Sequence, residues 1–311
     1  MIRVQDKIFV KVEDNYVDLT KIDSRPSITD KYIIMLWDTS IAPNSYLYRY
    51  MSLEAFIDMI KTGMNTLTSC YIQEDKYEGG LFAIQHKWNK STTNMLRKSN
   101  LPFIEECIDD SGIYKPYLKQ LKNVYIQSWT KKENCEGMWK AYSNSGKTRT
   151  VKIKCKAGDL LNGLIKGAGR ENITKCFLCA VKYMPKAEYI STIESISNGE
   201  TTLKDKIGAS YASDHIIKRD DFEYENEVRL LYLHYLKEEN EEAPKGLTIN
   251  EGKTIKYKIK VNDSDNLLPI HEVILDPWTK DFYVDSIKDM LGKYGISPDI
   301  VKRSDYFDAV L

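Results

Sequence analysis

Phe222-Glu223-Tyr224-Glu225-Asn226-Glu227-Val228-Arg229-Leu230-Leu231-Tyr232 reads as a strand. Val228, Leu230 and Tyr232 alternate with other residues, and β-formers continue to Tyr235. A side-chain period of two puts Glu225, Glu227 and Arg229 on one face and apolar residues on the other. Charged groups on a strand entering a core are costly unless they are paired or used. Two uses fit. Arg229 neutralises its neighbours in a solvated ladder, or the two carboxylates stand at the mouth of a pocket.

The neighbouring segments supply the rest of an α+β fold. Residues 5–20 alternate as a hairpin, and Lys31 to Trp37 is a further apolar run. Tyr46 to Tyr50 is β-rich. Ser52 then caps a helix with apolar Leu53, Phe56, Ile57 and Ile60, ended by Gly63. Strands are expected at 66–71, 123–130, 150–155, 174–183, 254–261, 270–276 and 299–304. Helices are expected over 81–97 and on to about 122, through Met138–Tyr142, and at 186–197, 203–217 and 281–292. Residues 237–246 form an acidic loop. No Pro/Gly-rich linker divides the chain, so the expectation is one α+β domain over 46–311, with a β-rich extension over 1–45.

Composition narrows the class. Lysine plus arginine and aspartate plus glutamate are both 45 in 311 residues, so net charge is zero, which disfavours tight nonspecific DNA binding. A 42% hydrophobic share and 21 tyrosines fit a folded chain. No apolar run approaches ~18 residues, and Met1 to Asp6 lacks a signal-peptide stretch, so a cytoplasmic protein without a membrane partner is expected. Six scattered cysteines fit reduced thiols. Cys176 and Cys179 form a C-x-x-C inside an apolar run, without a second pair or spaced histidines, and read as buried thiols rather than metal ligands. Ser145-Gly146-Lys147-Thr148 mimics the end of a phosphate loop. Ala141 occupies the required glycine, and the segment follows a helix instead of opening one, so it reads as a turn.

Three pieces then fall in order: Arg49 on a short strand, Ser128-x-Thr130 ending another, and Glu225-x-Glu227 beginning a third. This order resembles the arginine–serine–glutamate class of ADP-ribosyltransferases, as does Leu47-Tyr48-Arg49-Tyr50 with its following helix. A broader resemblance covers about 46–304. Tyr48-Arg49-Tyr50-Met51-Ser52-Leu53, Ser128-Trp129-Thr130, Met138-Trp139-Lys140-Ala141-Tyr142 and Tyr224-Glu225-Asn226-Glu227-Val228-Arg229 are similar to a bacterial and phage family catalogued as a domain of unknown function. Arg149-Thr150 stands where that family often has Gly-Val, and Phe222 where it often has Trp.

The first resemblance implies an NAD-using ADP-ribosyltransferase or NAD glycohydrolase with an ADP-ribosyltransferase-like core. Nicotinamide leaves NAD through an oxocarbenium-like transition state. Glu227 would stabilise that cation, and Glu225 would activate the acceptor. Arg49 would hold the diphosphate, Ser128 would orient Glu227, and Thr130 would support the wall. Trp139 and Tyr142 would stack on a flat ring. NAD would be a substrate, with no metal. The acceptor is left open between protein, nucleic acid and small molecule. The broader family's occurrence implies a toxin or antiphage effector, with an antitoxin or regulatory partner. Bland alternatives stand beside these roles: Arg49 as an ion-pair arginine, Ser128 and Thr130 as ordinary strand residues, and Trp139 and Tyr142 at i, i+3 spacing as core. Two rival functions remain: a nuclease-like effector using Glu225, Glu227 and Lys218, and a noncatalytic nucleotide-sensing module.

Overall fold

The computed structural model describes residues 41–72, 122–144, 147–169, 176–188, 190–191, 215–234, 244–259 and 269–306, and the backbone of 7–12, 15–18 and 32–37. The helices expected over 81–97 and on to 121 lie outside these residues, as do most of 186–197, 203–217 and 237–246.

The centre of the fold is the strand β11 (Glu227–Leu233), whose seven residues are all buried. It lies antiparallel between β6 (Val124–Thr130) and β8 (Cys176–Ala180). It begins later than its alternation suggests. Asp220–Glu225 is a 3-10 helix, closed by Asn226 in the left-handed conformation at φ 43 and ψ 53. Asp220, Asp221 and Glu223 in its first turn favour a helical start, and Asn tolerates the left-handed cap. Glu225 therefore sits on the turn before the strand, not on one strand face with Glu227 and Arg229.

From this centre the main sheet runs β15-β14-β7-β4-β6-β11-β8-β3-β1-β2, with β5, β13 and β12 branching from β6. The other strands in that order are β15 (Val301–Arg303), β14 (Glu272–Leu275), β7 (Thr150–Lys156), β4 (Tyr46–Ser52), β3 (Tyr32–Trp37), β1 (Lys7–Val12) and β2 (Asn15–Asp18). The branch is β5 (Met64–Ser69), β13 (Thr254–Lys258) and β12 (Leu247–Asn250). β14 and β15 pair in parallel, as do β3 and β8, while the other pairs of this sheet are antiparallel. The expected α+β domain is thus a mixed sheet with helices, and the three N-terminal strands extend the same sheet.

The branch positions the site. β6 meets β4 only at Tyr48↔Thr130, and meets β5 at Thr68↔Ile126 and Ser69↔Tyr125. Side chains stitch the fork between them. Gln127 Nε2 donates to Asn65 Oδ1 at 2.7 Å and to the Thr66 carbonyl at 2.8 Å. Gln127 Oε1 accepts from Trp129 Nε1 at 2.8 Å, and Asn65 Nδ2 donates to Tyr257 Oη at 2.7 Å. A satisfied buried network of this kind fixes one arrangement of the strands.

Helices pack on both faces of the sheet. α1 (Leu53–Thr62) starts where Ser52 Oγ accepts the Ala55 N–H at 3.2 Å and ends at Gly63, φ 61, as the sequence suggests. It buries Phe56, Met59 and Ile60. α2 (Glu136–Tyr142) follows β6, and α4 (Asp281–Lys293) packs against β15. α3 (Ala157–Ala168) has no counterpart in the sequence reading. Its Gly158, Gly163 and Gly167 mask helical propensity. Tertiary packing demands one of them: a Cβ on Gly167 would lie 2.7 Å from Tyr257 Cβ. Leu160, Leu161, Leu164 and Ile165 face the core and supply the stabilisation the glycines lack. Among the described residues no helix is long and apolar enough to cross a membrane.

Cys176 and Cys179 are buried in β8 and are not joined by a disulfide.

Candidate functional site

Glu227 opens β11 opposite Thr130, and Arg229 lies opposite Ser128. This register places four polar side chains together on the face away from Val228 and Leu230. Glu227 is 3% exposed and Arg229 1%. Glu227 Oε1 accepts from Ser128 Oγ at 2.5 Å and from Arg229 Nε at 2.8 Å. Glu227 Oε2 accepts from Arg229 Nη2 at 3.1 Å and from Lys218 Nζ at 3.2 Å. The paired contacts of Arg229 are the fork geometry in which guanidinium matches carboxylate. Its third nitrogen donates to the His215 carbonyl at 2.6 Å.

Lys218 joins the second carboxylate. It lies on β10 (Ile217–Arg219), paired in parallel with β9 (Lys182–Met184), and donates to Glu225 Oε2 at 2.7 Å. The Glu225 side chain is 18% exposed against 3% for Glu227, so it is the more accessible of the two. Thr130 Oγ1 donates to the Glu225 carbonyl and accepts the Lys132 N–H at 3.0 Å. The Glu227 N–H donates to Tyr183 Oη at 2.8 Å. Backbone and side chains of this turn are therefore fixed together.

Burial alone would raise the Glu227 pKa. The Arg229 guanidinium, Lys218 and the Ser128 hydrogen bond outweigh it and hold the carboxyl at about 2, against an ordinary 4.5. The sign follows. A carboxyl depressed in the folded state adds stability above its unfolded pKa, and loses it as pH falls from about 4.5 through about 2. That stabilisation is about 3 kcal/mol. The stability gap between wild type and Glu227→Gln should therefore narrow from pH 6 to pH 2.5 in urea titrations. A gap independent of pH would refute the assignment.

Glu225, Glu227, Lys218 and Ser128 share a cavity of about 170 Å³ with the rings of Tyr48, Tyr50 and Tyr142. Tyr142 is raised from its ordinary pKa by burial, with Arg49, Glu227, Glu225 and Lys218 also acting on it. The structure thus brings together Glu225, Glu227, Ser128 and Tyr142 from the sequence candidates.

Three candidates border the cavity's residues without lining it. Arg49 does not line this cavity. It shares a strand face with Leu47 and Met51, both in the main core, while Tyr48 and Tyr50 take the opposite face. Burial lowers its pKa, and the groups acting on it are Tyr142, Tyr257 and Cys155 rather than a carboxylate. Thr130 is 1% exposed and pins the Glu225 turn. Trp139 is fully buried, edge-on to Tyr50 at 4.8 Å between centroids. Trp139→Ala should destabilise the fold by ~3–5 kcal/mol in chemical denaturation, since it removes a large enclosed ring. A loss under ~1 kcal/mol would contradict a packing role.

Sequence reading did not single out Tyr48 and Tyr50 as cavity walls. The signal was available: alternation sends them opposite to Leu47 and Arg49. Lys152 was also missed. Its ammonium lies over the rings of Tyr48, Tyr50 and Trp139 at 5.3, 5.9 and 5.5 Å. It donates to the Glu133 carbonyl and to Asn134 Oδ1, and burial pushes it down to about 8. Among the described residues no group of three or more His, Cys, Asp or Glu could hold a metal.

A family model described as a protein of unknown function, DUF2971, matches residues 138–230. The family resemblance holds over this stretch. The DUF2971 segment runs from Met138 in α2 to Leu230 in β11, so it contains Tyr142, Lys218, Glu225, Glu227 and Arg229. Tyr48, Tyr50, Ser128 and Trp129 complete the cavity from outside the DUF2971 match. No curated protein and no solved structure matches the chain.

Proposed function

We propose that this protein breaks the glycosidic bond of NAD, as an ADP-ribosyltransferase or an NAD glycohydrolase. The observation that carries the proposal is that Glu225 and Glu227 reach one small cavity with aromatic walls. At about 170 Å³ it is well below the ~300–1,000 Å³ of sites for whole ligands. It suits a single ring rather than a dinucleotide. Nicotinamide in NAD is a flat cation, and tyrosine faces attract such a ring.

In the proposed reaction the bond between ribose C1′ and the ring nitrogen breaks, and its electron pair leaves with nicotinamide. Glu227, ionised and held by Ser128, faces the oxocarbenium that develops. Glu225 takes the proton from the acceptor, or from water, as its oxygen or nitrogen bonds to C1′. A role as a cytoplasmic toxin or antiphage effector, with an antitoxin or regulatory partner, belongs to the same proposal and rests on the resemblance alone. The acceptor is a protein, nucleic acid or small molecule.

One observation favours a second reading. Arg229 and Lys218 already neutralise Glu227, which reduces what its charge can give a developing cation. The same network suits a nucleotide-sensing module in which the ion pairs are structural. Incubation with NAD labelled in the adenine ring separates these. Label transfer or free nicotinamide is expected from an enzyme. Saturable NAD binding with neither product would establish the sensor instead. Cleavage of nucleic acid without NAD would favour the nuclease-like alternative.

A further inference from the structure

Two cations stand against the paired carboxylates, and they are held differently. Arg229 is 1% exposed and fixed from three directions: Nε donates to Glu227 Oε1, Nη2 to Glu227 Oε2 and Nη1 to the His215 carbonyl. It does not line the cavity. Lys218 comes from β10, which pairs with β9 in a separate two-stranded sheet, and it does line the cavity. Its ammonium donates to Glu225 Oε2 at 2.7 Å and to Glu227 Oε2 at 3.2 Å, bridging the two carboxylates on the wall that all three form. Phe222, in the 3-10 helix that ends at Glu225, places its ring 4.6 Å from the same ammonium.

The difference matters for a cationic ligand. A guanidinium fork is rigid, whereas a lysine ammonium is a point charge on a flexible four-carbon stem. Glu225, Glu227, Lys218 and Arg229 are two anions and two cations. A positively charged ring entering beside Tyr48, Tyr50 and Tyr142 would add one more cation to a space of about 170 Å³. An uncompensated charge is costly in such a place. Withdrawal of the Lys218 ammonium restores the balance by moving one side chain and no backbone, and the Phe222 face can hold the ammonium as it leaves. Arg229, anchored at three nitrogens, stays as the counter-ion of Glu227.

We propose that Lys218 is an internal competitor for the cavity: its ammonium holds the carboxylate site that a cationic ring would take, and the ring binds by exchange with it. Lys218 thereby sets how far the cavity prefers a charged ring to a neutral ring of the same shape. The identity of the ring as nicotinamide rests on the NAD reading, while the exchange rests on the placement of Lys218.

The test is calorimetric titration of the full chain, near neutral pH, with 1-methylnicotinamide and with nicotinamide. The first is a flat cation, and the second is the same ring without the charge. The ratio of their affinities reads charge and cancels most of the effect of shape. Lys218→Met keeps much of the stem and removes the ammonium. The ratio should then rise at least about tenfold in favour of the cation, because a contact to a charged group contributes about that factor. Lys218→Arg puts a two-pronged guanidinium on the carboxylates and should lower the ratio below that of wild type. Melting curves confirm folding, and the arginine variant carries the test if the methionine variant is unstable. An unchanged or lower ratio in folded Lys218→Met, or an unchanged or higher one in Lys218→Arg, would overturn the exchange. Absence of binding of either ring to wild type and both variants would overturn it too. NAD turnover separates this inference from the reading it rests on. The expected ratios in a protein that leaves NAD intact would support the exchange and sink the enzyme reading. NAD cleavage with ratios that do not respond to position 218 would do the reverse.

Discussion

Arg229→Met should destabilise the protein by ~3–5 kcal/mol in denaturant titration. Arg229 is 1% exposed and donates to both Glu227 oxygens and to the His215 carbonyl. Removing it leaves Glu227 buried at 3% exposure, with Lys218 and Ser128 as its remaining partners here, and leaves the His215 carbonyl without this donor. Met matches much of the aliphatic volume, so the loss measures charge and hydrogen bonds rather than a cavity. Arg229→Lys keeps the charge but loses the two-pronged geometry, and should cost less than Met. The double variant Arg229→Met/Glu227→Leu should recover much of the loss, because an apolar pair of similar volume can replace a buried ion pair. On a solvated ladder, Arg229→Met would cost under ~1 kcal/mol, and that result would remove the buried clamp from this account.

The strand β11 was legible because its alternation is strong, and α1 because Ser52 and Gly63 mark it with unambiguous end signals, but the order of the strands in the sheet was not. The start of β11 was less legible. Phe222 and Tyr224 alternate like strand residues, yet the acids at 220, 221 and 223 and the left-handed Asn226 make that stretch a turn. Local alternation lost to capping chemistry. α3 was hidden for a different reason: glycine lowers propensity, and the close approach of Tyr257 to Gly167 is a tertiary demand that no local window contains. In the site, Ser128, Glu225 and Glu227 could be grouped by motif order; the register of β6 with β11 brings Ser128 to Glu227, while Thr130 and Lys218 hold Glu225 on the turn beside them. Motif order says nothing about faces. Arg49 shares a strand with Tyr48 and Tyr50, but period two separates them, and it is the tyrosines that line the cavity. Lys218 was visible only as a nearby cation, since its bridge to both carboxylates depends on β10 pairing with β9.

The chemistry is tested by separating the two carboxylates. Glu227→Gln should lower nicotinamide release from NAD by ~100–1,000-fold, equivalent to ~3–4 kcal/mol of transition-state stabilisation. Gln keeps the shape and can still accept from Ser128, but it removes the charge facing the oxocarbenium. Stability should fall too, because Arg229 loses its ionic partner in a buried setting. Rates must therefore be compared below the onset of each melting curve. Glu225→Gln should behave differently. Glu225 is the more exposed carboxylate and has Lys218 as its ion-pair partner here. Its loss should reduce transfer to an acceptor while slow NAD hydrolysis survives, because water needs less orientation than a specific nucleophile. If the network is purely structural, neither variant changes nicotinamide release, and only stability moves. Wild-type rates in a folded Glu227→Gln protein would exclude Glu227 from the chemistry. Loss of hydrolysis and transfer together in Glu225→Gln would instead make Glu225 the carboxylate that faces the cation, with Glu227 serving to hold Lys218 and Arg229 in place.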